Sequence, residues 1–473
     1  MIVIRMIIPC LWAILIGYLI VSHLMHGVQW NKSLYWFKFW LSIGIGLGIA
    51  SLNYFLWLVL RGPIGYYFIG AEWIILLVFV GIKYWAKRSD KHTHLATNQG
   101  SGSEGSPLIL TTAFFTMVTL AVLIFFLGSI LFPHGYWDAW LIWNLSARFF
   151  FRGGEFWQNA FSTNVFHPDY PLLYSMNVAR LWNYAEIDSV LGPMLISFLF
   201  TFSTLGLLVA AVAVFRGRSL GFLSGLILLG ANGFIVQGPT QVADIPLSFF
   251  ILATIVLMSI HQRSMGFRDR LLTLAGMSAG FATWTKNEGW LFLVSLIVVI
   301  TVINAVKRDG ISRPREWMHF LYGLIPIVMV VLYFKFALAP SNDLISSQGV
   351  QTLERVSDIS RYIKIGKAFL GQVVRFDPRF STPMVILPIF LVFFGVEKQN
   401  LRRTIFRMIM AIEMIMFGGY FIVYLTTPHD LDWHLSTSLF RLFLHLWPLT
   451  VFAVMLILAA PSLENRRVRP SWV

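Results

Sequence analysis

The string Tyr136-Trp137-Asp138-Ala139-Trp140-Leu141-Ile142-Trp143 sets one carboxylate among aromatic side chains. If a helix runs on from it, Trp140, Trp143, Ala147 and Phe150 share a stripe at spacings of three and four, with Asp138 about 200° round from Trp140 at ~100° per residue. The aromatics can then rest in the interface while the carboxylate points elsewhere; equally, it could cap the helix by accepting from its first unpaired N–H groups. His167-Pro168-Asp169-Tyr170-Pro171 places two side chains that hydrogen-bond or titrate, His167 and Asp169, on a turn stiffened by two prolines. That turn suits a substrate site or a plain structural corner. Ala243-Asp244-Ile245-Pro246 offers a second acid, or an ordinary helix start with Asp as cap and Pro in the first turn.

Cations come next along the chain. Thr285-Lys286-Asn287-Glu288-Gly289 falls where two apolar runs meet, so Lys286 and Glu288 lie at or just below a membrane surface. Ionisable groups there face a cavity, pair with each other or snorkel to the headgroups. The string Thr427-Pro428-His429-Asp430-Leu431-Asp432-Trp433-His434 gathers four metal-ligand side chains in six residues, a pattern more often solvated than metallated. Arg441, just beyond it at the start of an apolar run, carries a permanent charge and a two-pronged donor set that matches phosphate. Acids, a lysine and an arginine on one face of a membrane body fit an enzyme handling a membrane-anchored phosphate.

The elements that position these groups are helices. Of 473 residues, 57% are hydrophobic and 12% charged, with a mean hydropathy of +0.72, whereas soluble domains carry about 25% charged residues. Apolar runs last about 20 residues instead of alternating over ten, so the spans are α-helical and not barrel strands. Thirteen runs fall near 6–22, 36–60, 64–85, 107–132, 189–214, 219–237, 245–261, 271–286, 289–305, 319–339, 382–396, 408–426 and 441–460. The net charge of +14 resides in short Lys/Arg clusters after Lys83, Arg216, Arg263, Lys307, Lys398 and Arg466. With thirteen spans all six clusters share one side, the positive-inside signature of the cytoplasm, and nucleic-acid binding is disfavoured. This puts the N-terminus outside; the opening stretch lacks a small-residue cleavage site and is read as a retained helix. A lone cysteine, Cys10, allows no intrachain disulfide and no multi-cysteine metal site.

Residues 93–107 are polar and Gly/Ser-rich, a flexible cytoplasmic linker that divides three leading helices (1–92) from a ten-helix body (108–473). Outer loops at 132–188 and 340–382 are too long for plain connections and carry amphipathic patterns expected to lie in the headgroup region.

The ordered series Asp138, His167-Pro168 with Pro171-Leu172, Ala243-Asp244-Ile245-Pro246-Leu247, Gly280-Phe281-Ala282 through Lys286, and Arg441 with Pro448 resembles the GT-C glycosyltransferases over residues 107–460. The nearest type is glycosyltransferase family 39, the protein O-mannosyltransferases and the lipid A aminoarabinose transferases. The resemblance implies an all-α polytopic fold with its site on the extracytoplasmic face of a plasma membrane, here of bacterial type. It implies a polyprenyl-phosphate-linked sugar as donor, an acceptor that is a lipid, glycan or protein, and inverting transfer in a single displacement; no cofactor or metal is expected. Carried over, Asp138 is the general base, Asp244 the second acid that positions sugar or acceptor, and Lys286 and Arg441 the cations at the donor phosphate. His167, Asp169, Tyr170, Glu288 and His434 are expected at the substrate. Asp169-Tyr170 interrupts the family's His-Pro-Pro-Leu type stretch, Glu288 is an added acid, and Leu442 stands where tyrosine is common.

A transporter or flippase for a lipid-linked or anionic solute is the rival reading, since embedded Lys, Glu and Asp also mark substrate pathways. Against it stand the outer-face position of the groups and the absence of an inverted repeat. A non-catalytic scaffold would leave the clustered charges without a role.

Overall fold

The computed structural model describes residues 1–27, 32–89, 106–263, 269–306, 314–341, 350–374, 383–401 and 404–459. Nearly all of the 93–107 linker, and the basic residues from Lys307 to Arg313 and from Arg466 on, lie outside these.

Each of the thirteen apolar runs is helical. In chain order the elements are α1 (Ile2–Leu24), α2 (Ser33–Arg61), α3 (Tyr66–Ser89), α4 (Leu108–Leu131), α5 (Asn144–Arg152), α6 (Leu173–Ala185), α7 (Leu191–Arg216), α8 (Arg218–Gly230), α9 (Asn232–Gln237) and α10 (Asp244–Arg263). Then come α11 (Arg270–Thr285), α12 (Glu288–Val306), α13 (Pro314–Tyr333), α14 (Val350–Ser357), α15 (Ile359–Val374), α16 (Pro383–Phe394), α17 (Lys398–Leu401), α18 (Thr404–Thr426) and α19 (Leu431–Ile457). Ten helices among the described residues are long and apolar enough to cross a bilayer unaided. The others have identifiable reasons. The run at 219–237 breaks into the bent pair α8 and α9, and α16 keeps 12 residues. The 16 residues of α11 reach about 24 Å against a hydrocarbon core of about 30 Å. α11 is enclosed by α10, α12 and α13, so its short length is not exposed to lipid; instead it leaves Lys286, the residue after its last turn, recessed.

The helices alternate between two ends. At one end Arg216 pairs with Glu397 at 2.8 Å, Arg263 donates to the Phe215 carbonyl at 3.2 Å, Arg315 pairs with Asp269 at 3.3 Å, and Glu397 N donates to the Ile457 carbonyl. The described basic clusters from Arg216 onward therefore gather there, as the charge pattern predicts. At the opposite end Arg5 and Tyr66 both bind Glu186, at 3.0 and 2.9 Å, so the starts of α1 and α3 lie with the α6–α7 connection.

The three leading helices pack directly on the rest. α1 and α2 cross at backbone distance: a Cβ on Gly46 would stand 1.8 Å from the Ala13 carbonyl oxygen, and one on Gly17 2.0 Å from that of Ser42. On the other face of α2, Gly44 and Gly48 receive the rings of Phe249 on α10 and Phe281 on α11. Polar ties reinforce the joint. Trp284 Nε1 donates to Ser51 Oγ at 3.1 Å, and Asn177 Nδ2 to the Leu47 carbonyl at 3.0 Å. Glu72 of α3 and Arg180 of α6, both fully buried, meet at 2.8 Å, with Tyr184 Oη also donating to Glu72 at 2.6 Å and Arg180 to the Pro9 carbonyl at 3.0 Å. A charge pair this deep is tolerable because nearly every donor and acceptor on it is matched.

Candidate active site

The first outer loop opens with a turn at Gly135, whose φ of +72° and near contact with the Thr240 carbonyl leave no room for a side chain. The turn lets the chain run along the 238–242 segment: Tyr136 N donates to Thr240 O at 3.3 Å, Gln241 Nε2 to Pro133 O at 3.0 Å, and Asn144 Nδ2 to Gln241 Oε1 at 2.9 Å. Asp138 is thereby fixed beside the start of α10. It makes no capping bond, so the capping alternative falls away; its Oδ2 accepts from Arg441 Nη1.

The five residues after Asp138 form a π-helix, Ala139–Trp143, and the wider turn shifts the register of the residues beyond it. Trp143, Ala147 and Phe150 are buried on one stripe as the spacing predicts, but Trp140 swings out of it, 42% exposed, and packs on Trp137. Trp143 in turn contacts Tyr170, which stacks on His167 with ring centroids 4.6 Å apart. His167 itself adopts a φ of +48° between Phe166 and Pro168, the sharp turn that presents both rings.

At the centre is Asp244, fully buried. Oδ2 accepts from Arg441 Nε at 2.8 Å and Gln237 Nε2 at 3.1 Å; Oδ1 accepts from Lys286 Nζ at 2.8 Å and lies 2.8 Å from His445 Nε2. Lys286 also pairs with Glu288 at 3.0 Å. Lys286 is thus enclosed between two carboxylates, with its side chain 4% exposed. Beside this cluster Asp169 Oδ2 accepts from Asn287 Nδ2 at 2.9 Å and pairs with Lys335 at 3.3 Å, while Lys335 also donates to Asn287 Oδ1 at 2.7 Å. Tyr170 lies between the two groups: burial, then the Glu288 carboxylate, push its phenol well above the ordinary 10.0, so it stays a neutral hydroxyl.

Asp138, Asp169, Tyr170, Asp244, Lys286, Glu288 and Arg441 are thus brought together from distant stretches of chain. His434 stands apart, at the rim: its Nδ1 lies 3.0 Å from Thr427 Oγ1 and its ring against Tyr424, two turns before Arg441. The neighbouring ligand-type residues disperse, since Asp430 caps α19 through Trp433 N at 2.8 Å and Asp432 pairs with Lys364 at 2.6 Å.

Four participants escaped the sequence reading: Gln237, Asn287, Lys335 and His445. His445 had a signal, lying four residues after Arg441 on the same helix face. Lys335 had one too, a charge flanked by Phe334 and Phe336 at the end of a span. Gln237 had none beyond polarity.

Access is uneven. Side-chain exposure is 31% for Asp138, 24% for Glu288 and 20% for both Arg441 and Lys335, but 4% for Lys286 and nil for Asp244. Arg441 spends Nε and Nη1 on carboxylates, while its Nη2 donates to none of the described residues. The open rim therefore carries two partly exposed acids, Asp138 the more open, and guanidinium donors able to meet an anion, above a buried network that holds them in place.

Residues 115–339 match the family model described as dolichyl-phosphate-mannose-protein mannosyltransferase, a stretch that includes Asp138, Asp244, Lys286 and Lys335 and ends before Arg441. No curated protein and no solved structure matches the chain.

Proposed function

The chain is an integral membrane glycosyltransferase of the GT-C, family 39-like type, and from that premise we propose that it moves a sugar from a polyprenyl-phosphate donor to an extracytoplasmic acceptor in one inverting displacement. The observation that carries this reading is the bridge from Arg441 to Asp138 and Asp244, which sets a phosphate-matching guanidinium beside a partly open carboxylate. The extracytoplasmic assignment rests on the basic clusters, which collect at the end opposite this site.

In the proposed reaction the acceptor hydroxyl attacks the anomeric carbon, its proton passes to Asp138, and the bond to the lipid phosphate breaks on the opposite side of that carbon. The departing phosphate gains charge, and Arg441, through Nη2 and any donor it withdraws from Asp138, meets that charge where it develops. Lys286 has a different part from the one expected. Enclosed by Asp244 and Glu288, it keeps Asp244 ionised and oriented, so the phosphate is met chiefly by Arg441, with Lys335 as the next accessible cation. Asp244 is in the same sense a positioning residue, since every oxygen lone pair it offers inward is already taken. Tyr170 and Glu288, on the open side, are left to hydrogen-bond sugar hydroxyls, and His434 lies where an incoming acceptor would pass.

The test is transfer by the purified protein in detergent, given a radiolabelled polyprenyl-phosphate sugar and membrane acceptor. Asp138→Asn is expected to lower turnover by about 10²–10⁴-fold while donor binding persists. Undiminished transfer in that variant would remove the base from Asp138; vesicle uptake of the donor, indifferent to the change, would favour a transporter.

A further inference from the structure

At the basic end, about a membrane thickness from the transfer site, α10, α13 and the connection before α11 bring two imidazoles and two carboxylates together. His261 closes α10 and is buried; Asp269 immediately precedes α11; Glu316 and His319 lie three residues apart on one face of α13. Ligand atoms of His261, Asp269 and Glu316 all lie within 4.8 Å of one another. His261 Nε2 is 3.7 Å from Glu316 Oε2, and His319 Nε2 is 3.7 Å from Asp269 Oδ2.

We propose that His261, Asp269, Glu316 and His319 form a binding site for a divalent transition metal of the zinc class that clips α10, α11 and α13 at the end remote from the reaction. The chemistry of the set selects the ion. Two imidazoles and two carboxylates supply nitrogen and oxygen donors suited to zinc, whereas magnesium prefers an octahedral shell of oxygens and retained water. The core of the site is three ligands, with atoms within 4.8 Å of one another and His261 and Glu316 at 3.7 Å, against about 3.4 Å between neighbouring ligand atoms of tetrahedral zinc; His319, 3.7 Å from Asp269, moves in to supply the fourth. Because the ligands come from α10, α13 and the residue that precedes α11, binding would tie the α10–α11 joint to α13, which packs along α11.

The experiment uses the untagged full-length protein in detergent, stripped with a chelator, then titrated with Zn²⁺ and, separately, Mg²⁺. Bound metal is counted by elemental analysis and thermal unfolding is followed in parallel. The expected result is one Zn²⁺ per chain, a rise in Tm, and affinity at least tenfold weaker in His261→Gln and in Glu316→Gln, with the exposed His23→Gln unaffected. Co²⁺ substituted into the unmodified protein gives a check independent of any variant, since a tetrahedral nitrogen and oxygen set yields intense visible bands. Sub-stoichiometric Zn²⁺, binding indifferent to both ligand variants, equal preference for Mg²⁺, or octahedral Co²⁺ spectra would each overturn the assignment.

Discussion

Arg441→Ala tests the proposed reaction at its most connected point. The guanidinium makes one charged hydrogen bond to Asp138 and another, at 2.8 Å, to Asp244, and Nη2 remains for a phosphate. A preorganised donor aimed at developing charge is worth about 3–4 kcal/mol at the transition state, about 10²–10³ in turnover. A direct Coulomb figure agrees, since unit charges 4 Å apart at an effective dielectric of 20 interact by about 4 kcal/mol. The alanine variant should therefore lose about 100- to 1,000-fold in kcat with a weaker donor titration. Arg441→Lys should recover only part of it, because one ammonium cannot span both carboxylates and a phosphate. Unfolding must be measured alongside, because Asp244 loses a partner; Lys286, His445 and Gln237 still hold it, so the fold should survive. The assay is single-turnover transfer from a labelled polyprenyl-phosphate sugar, with donor affinity measured separately. A well-folded Arg441→Ala protein with kcat within threefold of the parent would refute the assignment of Arg441 to the leaving phosphate.

Three further outcomes are expected from the geometry. Lys286→Met removes a charged hydrogen bond from buried Asp244 and should destabilise by about 1.5–3 kcal/mol, seen as a lower Tm in detergent; an unchanged Tm would mean that Asp244 does not depend on it. Gly46→Val forces α1 and α2 apart at the Ala13 carbonyl and should cost about 1–3 kcal/mol or more, seen as a lower Tm in detergent; an unchanged Tm would mean that the crossing is looser than described. Arg180→Met leaves Glu72 buried without its counter-charge and should destabilise by about 3–5 kcal/mol, whereas the double change with Glu72→Leu should recover most of that loss.

The meeting of Asp138, Asp244, Lys286, Glu288 and Arg441 was legible because each flanks an apolar run at an end of the same parity, and thirteen alternating runs bring equal parities together. Patterning of that kind reports which end a residue occupies. It does not report depth or partner, which is why the enclosure of Lys286 between Asp244 and Glu288, at the end of the short α11, was not foreseen. The displacement of Trp140 was hidden for a related reason: a π-turn changes the angle per residue, and nothing in Ala139-Trp140-Leu141-Ile142-Trp143 announces it. The polar linker marked a division in the chain but not how its two sides pack; the small residues of α2, Gly44, Gly46 and Gly48 in alternation, were the sign of close packing on both of its faces.

Those notches on α2 also have a temporal meaning. α2 leaves the ribosome some 200 residues before the rings that fill its sockets, since Phe249 and Phe281 belong to α10 and α11. Until they arrive, two glycine hollows face lipid tails, which fill them poorly. The early hairpin is thus a mould awaiting its casting, and a chain that begins at the linker would expose those aromatic rings with nothing shaped to receive them.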